Sequence, residues 1–497
     1  MPLPRLLLRA DGNSRIGLGH VMRLLALAEI LREEVAECLF LIREPDQELQ
    51  HQLAAIGCRV LALPAQPLAE EAAWLVRHIV HSTDVLVLDG YSFTYSYQHT
   101  LRGAASHLIF VDDLHSFPLA ADLVLNPAGG VKASQYELRQ PGARLLAGPA
   151  YAPLRAAFRE AAFLPASNAT PATVLVCLGG ADPTHQTRHV ATTLFALPAV
   201  QQVHAVVGSA YSGWEELHIW ASQQPRLTLH RNLSADELVE LMRCCGAAVC
   251  SPSTVSYEYC AAGGGLLLLL PIADNQHDIN LFLLSAGLGI PYSSTSNALT
   301  ALDAGKLAAQ FRQQQRRVFD GLAPVRLRQE FRALQLPPPP FYLRPATAAD
   351  SGQLFSWTND PTVRQYSFSP APVARTEHEQ WFAARLTDPH SLVLLAEDPV
   401  HNSPIGLIRF QIAEEKATLS YLLDPAYRGR RLAPVLLLAG TRYLAQTFPA
   451  VRQVLGHVQQ HNTASIKAFE RAGFHQLLAP LTTSPNSVTF SWEAASY

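Results

Sequence analysis

Over the first two thirds of the chain, short unbroken apolar runs alternate with longer stretches patterned as helices. RLLLRA (5–10) precedes an apolar helix expected over 20–33. DVLVLDG (84–90) and HLIFVDD (107–113) are rich in leucine and β-branched residues and end in aspartate or glycine. A second series starts at ATVLVCLGG (172–180) and continues with VHAVVGS (203–209), AAVCS (247–251) and GLLLLLP (265–271). Strands that alternate with helical segments imply parallel sheets with right-handed crossovers. Two such series predict two doubly wound domains, linked through REAAFLPASNATPAT (159–173). GGGLLLLLPI (263–272) is about as long as a strand and ends in proline, so it predicts a buried parallel strand rather than a membrane span. The helix-rich segment 301–336 is expected to close the pair.

Prolines 337–340 interrupt this pattern. Four in a row suit neither a helix interior nor a central strand, and they favour an extended spacer. A new strand–helix start, FYLRPAT then AADSGQLFSW, follows at once. The expected division is therefore 1–160, 161–336 and 341–497, with no repeat of solenoid period.

Composition narrows the class. A chain of 497 residues exceeds one core, and its formal net charge of -3 offers no basic field for nucleic acid. Seven scattered cysteines, without a C-x-x-C pair, fit a reducing cytoplasm and neither a disulfide framework nor a zinc site. The opening MPLPRLLLRADG has too short an apolar run for a signal peptide, and no membrane span is expected.

Candidate chemistry gathers at the predicted strand ends, where ligands of doubly wound folds bind. In RADGNSRIGLGHVMR (9–23), a polar turn follows the strand, and Gly17 and Gly19 allow close backbone approach. His20 then opens a helix, whose positive end disfavours imidazolium and leaves a neutral base. Taken alone, the same turn would also suit a capping or packing histidine. In CLGGADPTHQT (177–187), Gly179 and Gly180 precede a helix start and form a candidate diphosphate cradle. In SPSTVSYEYCAAGG (251–264), Ser253 and Thr254 precede a helix carrying Glu258, a carboxylate suited to a ribose diol. Asn275 and Gln276 follow the apolar strand. No acidic or histidine cluster has metal-ligand spacing, so no metal is expected.

Together with VDDL, LVLNP, GPAYAPLR and ADNQ, these segments make residues 5 to about 335 resemble the UDP-sugar hydrolases of pseudaminic acid biosynthesis, related to spore-coat polysaccharide proteins. That family is similar to a GT-B glycosyltransferase turned hydrolase. The resemblance implies two Rossmann-like domains in a GT-B arrangement and hydrolysis of UDP-2,4-diacetamido-2,4,6-trideoxy-β-L-altropyranose to UDP and free sugar. His20 would activate water, with Asp11 of the same motif as second catalytic candidate. Gly17, Gly19 and Arg23 would meet sugar and phosphates, and Glu258 the ribose. Some members have asparagine where this chain has Tyr257.

In 341–497, LSYLLDPAYRGRRLAPVLLLAG predicts strand, basic turn and helix. Arg428, Gly429, Arg430 and Arg431 at a helix start suit a pyrophosphate, and Pro434 fits only the first helical turn. With HNTASIKAFERAGF (461–474), this segment resembles the GNAT acetyltransferases, which implies an α/β GNAT fold and acetyl-CoA as co-substrate. The family's loop R/Q-x-x-G-x-G/A is here Arg428-x-x-Arg431-x-Ala433, and Asn462 carries over from the later motif. The tyrosine that often protonates the departing thiolate is Phe469, leaving the task to water, the substrate ammonium or another tyrosine such as Tyr421. SWTNDPTVRQYS and TEHEQWF resemble the aminosugar acetyltransferases of the same pathway. Trp357, Asn359, Arg364 and His378 are the implied acceptor contacts, and Trp381 is expected in the core.

The combined expectation is a cytoplasmic bifunctional enzyme that acetylates the 4-amino group of a UDP-aminosugar and then hydrolyses the product. A homo-oligomer is compatible with it; nucleic acid and membrane partners are not expected. Two alternatives stay open: a GT-B glycosyltransferase with an acetyltransferase tail, and a non-catalytic UDP-sugar-binding protein with a degenerate GNAT module.

Overall fold

The computed structural model describes residues 3–12, 18–478 and 486–495. The chain divides into two compact units, Met1–Pro324 and Val325–Ser496. Among the described residues, no helix is long and apolar enough to cross a membrane.

The first unit holds two parallel sheets. In the first, β1 (Arg5–Ala10), β2 (Glu37–Ile42), β3 (Cys58–Ala62), β4 (Val85–Asp89), β5 (His107–Val111), β6 (Leu123–Asn126) and β7 (Arg144–Ala147) run in the order 3-2-1-4-5-6-7. In the second, β8 (Thr173–Cys177), β9 (Gln202–Val207), β10 (Leu227–Arg231), β11 (Ala247–Cys250), β12 (Leu266–Leu269) and β13 (Ile290–Pro291) run in the order 10-9-8-11-12-13. All pairings in both sheets are parallel. Every residue of β4, β11 and β12 is buried, which is why these strands are apolar without alternation. Each sheet reverses its winding once, between β1 and β4 and between β8 and β11. Helices cover both faces, and one cluster of buried side chains runs through residues of both sheets, from Leu7 and Leu88 to Cys250 and Tyr257.

The second unit is built on one mixed sheet: β14 (Tyr342–Pro345), β15 (Ser391–Glu397), β16 (Pro404–Ala413), β17 (Lys416–Leu423), β18 (Gln453–Gln459), β19 (His475–Gln476) and β20 (Ser487–Glu493), in the order 14-15-16-17-18-20-19. Its pairs are antiparallel except β17–β18, whose parallel register runs only from Lys416↔Gln453 to Leu419↔Gly456. Beyond Leu419, β17 stays bonded to β16 and β18 to β20, so the two strands part.

The seam falls twelve residues before the tetraproline, between Pro324 and Val325. Helix Ala323–Leu334 accounts for the difference. Arg326 donates to the Ala494 carbonyl, Glu330 pairs with Arg442, and Ala333 is buried in the core of the mixed sheet. The prolines mark where this helix gives way to β14, not where packing changes partner.

Candidate functional sites

At the first switch point, β1 leads into helix Gly19–Leu31 and β4 ends at Asp89. His20, one residue into that helix, places Nδ1 2.6 Å from Asp89 Oδ1. Asp89 is fully buried and is also gripped by Arg23, through Nε at 2.9 Å and Nη2 at 2.7 Å. Arg23 Nη1 reaches Asp113, at the end of β5, at 2.7 Å. Burial would raise the Asp89 carboxyl, but the charges of Arg23 and His20 and their hydrogen bonds outweigh it and hold it below the ordinary range. An ionised Asp89 accepts from Nδ1–H, which leaves the Nε2 lone pair of His20 free to take a proton. Arg23 Nη2 carries two hydrogens and stands 2.7 Å from Asp89 Oδ1 and 2.9 Å from His20 Nδ1; with Nδ1 protonated toward Asp89, the contact to Nδ1 is a close approach and not a hydrogen bond.

The wall of this site is Tyr91, whose ring stands edge-on to His20 at 4.8 Å. Its hydroxyl accepts from Asn275 Nδ2 at 2.7 Å, so Asn275 is brought to His20 through one tyrosine. Gln276 instead braces its own loop by accepting from Ile272 N. Asp11, expected beside His20, is held by Arg9 Nη1 at 2.5 Å and by Arg43 N at 3.0 Å, within a buried network that includes Glu71 and Tyr97. It makes no hydrogen bond to His20 among the described residues. Gly19 has open space around it, and the expected Gly17 lies outside the described residues.

At the second switch point the loops after β8 and β11 meet. Gly179 has φ +88°, and a Cβ there would stand 3.9 Å from Ser251 Oγ, which contacts Ser253 Oγ at 3.0 Å. Gly180 packs against Gly208, where a Cβ would come within 2.8 Å of the Gly180 Cα. The expected cradle changes in one respect. The buried carboxylate of Asp182 accepts from Gln186 N and Thr187 N at 3.0 and 2.8 Å, so the start of helix Gln186–Phe195 is capped from within. Helix Thr254–Ala261 has no side-chain cap, and its first N–H groups are the better anion site. Glu258, on the same helix, is buried and paired with Arg155 Nε at 2.9 Å. Tyr257 is buried and donates to the Pro127 carbonyl, tying this helix to the loop after β6.

In the second unit the parting of β17 and β18 opens a cavity of about 710 Å³. Arg428, Gly429, Ala433 and Asn462 are among its lining residues. Helix Leu432–Thr447 begins there, with Pro434 in its first turn. Gly429 and Arg431 both take positive φ, +74° and +59°, so arginine occupies a left-handed position that glycine favours. Arg428 is turned inward, donating to the Leu423 carbonyl and to Asp360, with a buried Nη2 that has no partner. Arg430 lies over the Tyr427 ring at the surface. Asn462 caps helix Thr463–Arg471 by accepting from Ser465 N at 3.1 Å.

The expected acceptor residues separate. Arg364 and His378 line the cavity, each with a buried nitrogen that has no partner, and burial holds His378 below the ordinary imidazole range. Trp357 is buried in the core and donates to Asp424 at 2.7 Å. Asn359 braces the backbone of Val373 by donating to it and accepting from it. Trp381, expected in the core, lines the cavity with Arg409 over its ring. Phe469 is 2% exposed and packed between Phe474 and Phe490. Tyr421 meets it edge-on, with its hydroxyl 3.1 Å from Ser465 Oγ.

Residues 341–475 match the model of the acetyltransferase (GNAT) domain family. The carboxyl-terminal unit carries a GNAT acetyltransferase domain. The chain is also 20% identical over 484 residues to the uncharacterized protein MJ1062 of Methanocaldococcus jannaschii, across 93% of this chain and 95% of that protein. Among solved structures, a spermidine N-acetyltransferase from Vibrio cholerae in complex with CoA and spermine is similar at 18% identity, covering 31% of this chain and 93% of that one, with a TM-score of 0.27. AAC(6')-Ib in complex with ribostamycin and coenzyme A is similar at 18% identity over the same shares, with a TM-score of 0.28. The matched family is one of acetyltransferases. Among the described residues no group of three or more His, Cys, Asp or Glu side chains could hold a metal ion.

Several site residues were not evident from sequence. Asp89 and Asp113 end strands already expected at 84–90 and 107–113, and a carboxylate at the mouth of a parallel strand was the available signal. Arg409 had none, because a lone arginine in a strand looks like a surface position.

Proposed function

We propose that the chain is a bifunctional sugar-nucleotide enzyme of pseudaminic acid biosynthesis, acting in the cytoplasm without a metal. The GNAT domain would acetylate the 4-amino group of UDP-4-amino-4,6-dideoxy-N-acetyl-β-L-altrosamine. The amino-terminal unit, as a GT-B pair of Rossmann-like domains, would hydrolyse the product to UDP and free sugar. The observation that supports hydrolysis best is the Asp89–His20 pair at a switch point. His20 Nε2 takes a proton from water as its oxygen bonds to the anomeric carbon, and the bond from that carbon to the diphosphate oxygen breaks. The first N–H groups of helix Thr254–Ala261, with Gly179, Gly180 and Ser253 beside them, receive the charge on departing UDP. Glu258 accepts from the ribose once it exchanges Arg155 for the nucleotide.

In the GNAT domain the neutral amine attacks the thioester carbonyl and the C–S bond breaks. Tyr421, beside the parted strands, donates a proton to the leaving sulfur, and the proton lost by the acylated nitrogen passes through water to restore the phenol. The deciding experiment gives the full chain the 4-amino UDP-sugar with acetyl-CoA, then the diacetamido UDP-sugar alone, and follows products by NMR. Release of coenzyme A in the first case, and of UDP and free sugar in the second, supports both steps. UDP release only on addition of a sugar acceptor would instead mean a transferase.

A further inference from the structure

Side chains along β16 and β17 alternate between two faces. Ile408, Phe410 and Leu419 enter the core beneath helix Leu432–Thr447, while Leu407 and its register partner Leu422 pack with Leu354 and Phe382 on the other face. The next pair on that second face is Arg409 and Ser420. An apolar stripe is thus continued by a guanidinium.

Arg409 is half-buried; its Nε donates to Ser420 Oγ at 2.5 Å, and its carbon lies 4.7 Å from the centroid of the Trp381 ring. No carboxylate pairs with it among the described residues. Nearby Arg385 has Asp388, but Arg364 bonds only to the Ser369 and Ala371 carbonyls and keeps a buried Nε without a partner. Burial, with the charges of Arg385 and Arg364, pushes the Arg409 guanidinium below its ordinary value. Arg364 and Arg409 line the same cavity, where the exposed Glu377 is the one carboxylate among the lining residues.

Withdrawing two guanidiniums from water with no counter-charge is unfavourable, and removing one would cost little unless a ligand needs it. Trp381 holds the Arg409 plane by cation–π contact, and Ser420 uses only Nε. The two terminal nitrogens remain as a fork that matches two oxygens of a phosphate or carboxylate. The coenzyme's pyrophosphate would have donors of its own around Gly429 and the start of helix Leu432–Thr447, on elements other than β16 and helix Pro361–Gln365, which carry Arg409 and Arg364.

We infer that Arg409, with Arg364, forms the subsite that holds the phosphate or diphosphate of the amine acetylated by the GNAT domain. This rests on the acetyltransferase reading of the domain and assigns the side chains that would hold the diphosphate of the proposed acceptor; a polyamine would be repelled by the same pair.

Steady-state coenzyme A release by the full chain tests this with two acceptor pairs: the 4-amino UDP-sugar against its free amino sugar, and glucosamine 1-phosphate against glucosamine. The phosphorylated member of each pair should be preferred. Arg409→Gln should raise its KM about tenfold to a hundredfold, the loss expected for hydrogen bonds to a charged group, while the KM for acetyl-CoA stays unchanged. Arg409→Lys should restore part of the affinity. Inactivity with the UDP-sugar but a preference for glucosamine 1-phosphate would refute the pathway and keep the anion subsite. Equal use of charged and uncharged amines would overturn the inference, as would a rise in the KM for acetyl-CoA, which would assign Arg409 to the coenzyme. If no amine is turned over, calorimetric titration of inorganic pyrophosphate decides: binding weakened in Arg409→Gln supports the subsite, and equal binding overturns it.

Discussion

His20 and Asp89 stand 69 positions apart in sequence, yet Nδ1 of the one lies 2.6 Å from Oδ1 of the other. Their meeting follows from the sheet order: β4 pairs directly with β1, so the strand end carrying Asp89 faces the helix that β1 feeds. The carboxylate fixes the ring and its tautomer. His20→Asn should therefore keep UDP binding by calorimetry and lose about 10²–10⁴ in the rate of UDP release, the usual worth of a general base. Wild-type turnover in that variant would remove His20 from the chemistry.

The same pair predicts how acid acts on the first unit. The carboxyl of Asp89 is depressed in the folded chain, so its contribution is present above the unfolded value of about 3.9 and lost as pH falls through the folded one. Asp89→Asn should lower stability at pH 7 by about 3 kcal/mol, because buried Arg23 is left with Asp113 alone. It should also flatten the fall in stability at acid pH. Urea unfolding of both chains between neutral and acid pH checks this; parallel curves would mean that Asp89 does not carry the titration.

Glu258 enters the nucleotide reading already paired with Arg155. A ribose contact is made equally in ground and transition states, so Glu258→Ala should raise the KM for the UDP-sugar and weaken inhibition by UDP more than it lowers kcat. It should also destabilise the first unit, since it strands a guanidinium. Glu258→Gln keeps the shape and one acceptor, and should recover stability before affinity. Unchanged UDP affinity in both variants would confine Glu258 to the ion pair.

In the second unit, Arg431 occupies a left-handed backbone position at φ +59°. For a residue with a Cβ that conformation costs roughly 1–2 kcal/mol, and glycine gives back roughly 0.5–1 through its freer unfolded chain. Arg431→Gly should thus stabilise the GNAT domain by about 0.5–1 kcal/mol in denaturant unfolding. The Arg431 side chain is exposed and does not line the cavity, so the KM for acetyl-CoA should stay unchanged. A raised KM would mean that its charge serves the coenzyme.

Features that depend on a few neighbouring residues were legible in the sequence. The wholly apolar run at Leu266–Leu269 is a buried parallel strand, and Pro434 sits in the first turn of its helix. What depends on distant packing was not. Asp182 belongs to a loop whose glycines suggested an anion cradle, but its carboxylate occupies the helix start that a phosphate would use. Trp357 and Trp381 are both tryptophans beside polar residues, and only the sheet beneath them decides that the first is sealed against Asp424 and the second faces the cavity. Strands such as β3 and β10, at sheet edges with partly exposed residues, lack the solid apolar runs that betray central strands.

The departing thiolate of acetyl transfer needs a proton. Phe469 stands where the resemblance leads one to expect a tyrosine, but its ring lies against Gly456, where a Cβ would stand 2.2 Å from it, and stacks on Phe490. A hydroxyl added there enters packed surroundings, so Phe469→Tyr should cost about 1–3 kcal/mol of stability, the penalty of an unsatisfied buried polar group, rather than raise turnover. Tyr421 is one ring away, lines the cavity and has its hydroxyl on Ser465. Burial raises its phenol above the ordinary value, so it stays protonated over the working range and has a proton to offer the sulfur as charge builds on it. Tyr421→Phe should lower the kcat for coenzyme A release about 10²-fold, at the modest end of general-acid effects, with the KM for acetyl-CoA unchanged. Loss of acetyl-CoA binding instead would make Tyr421 a packing residue of the coenzyme site. An unchanged kcat would leave protonation to water or to the substrate ammonium.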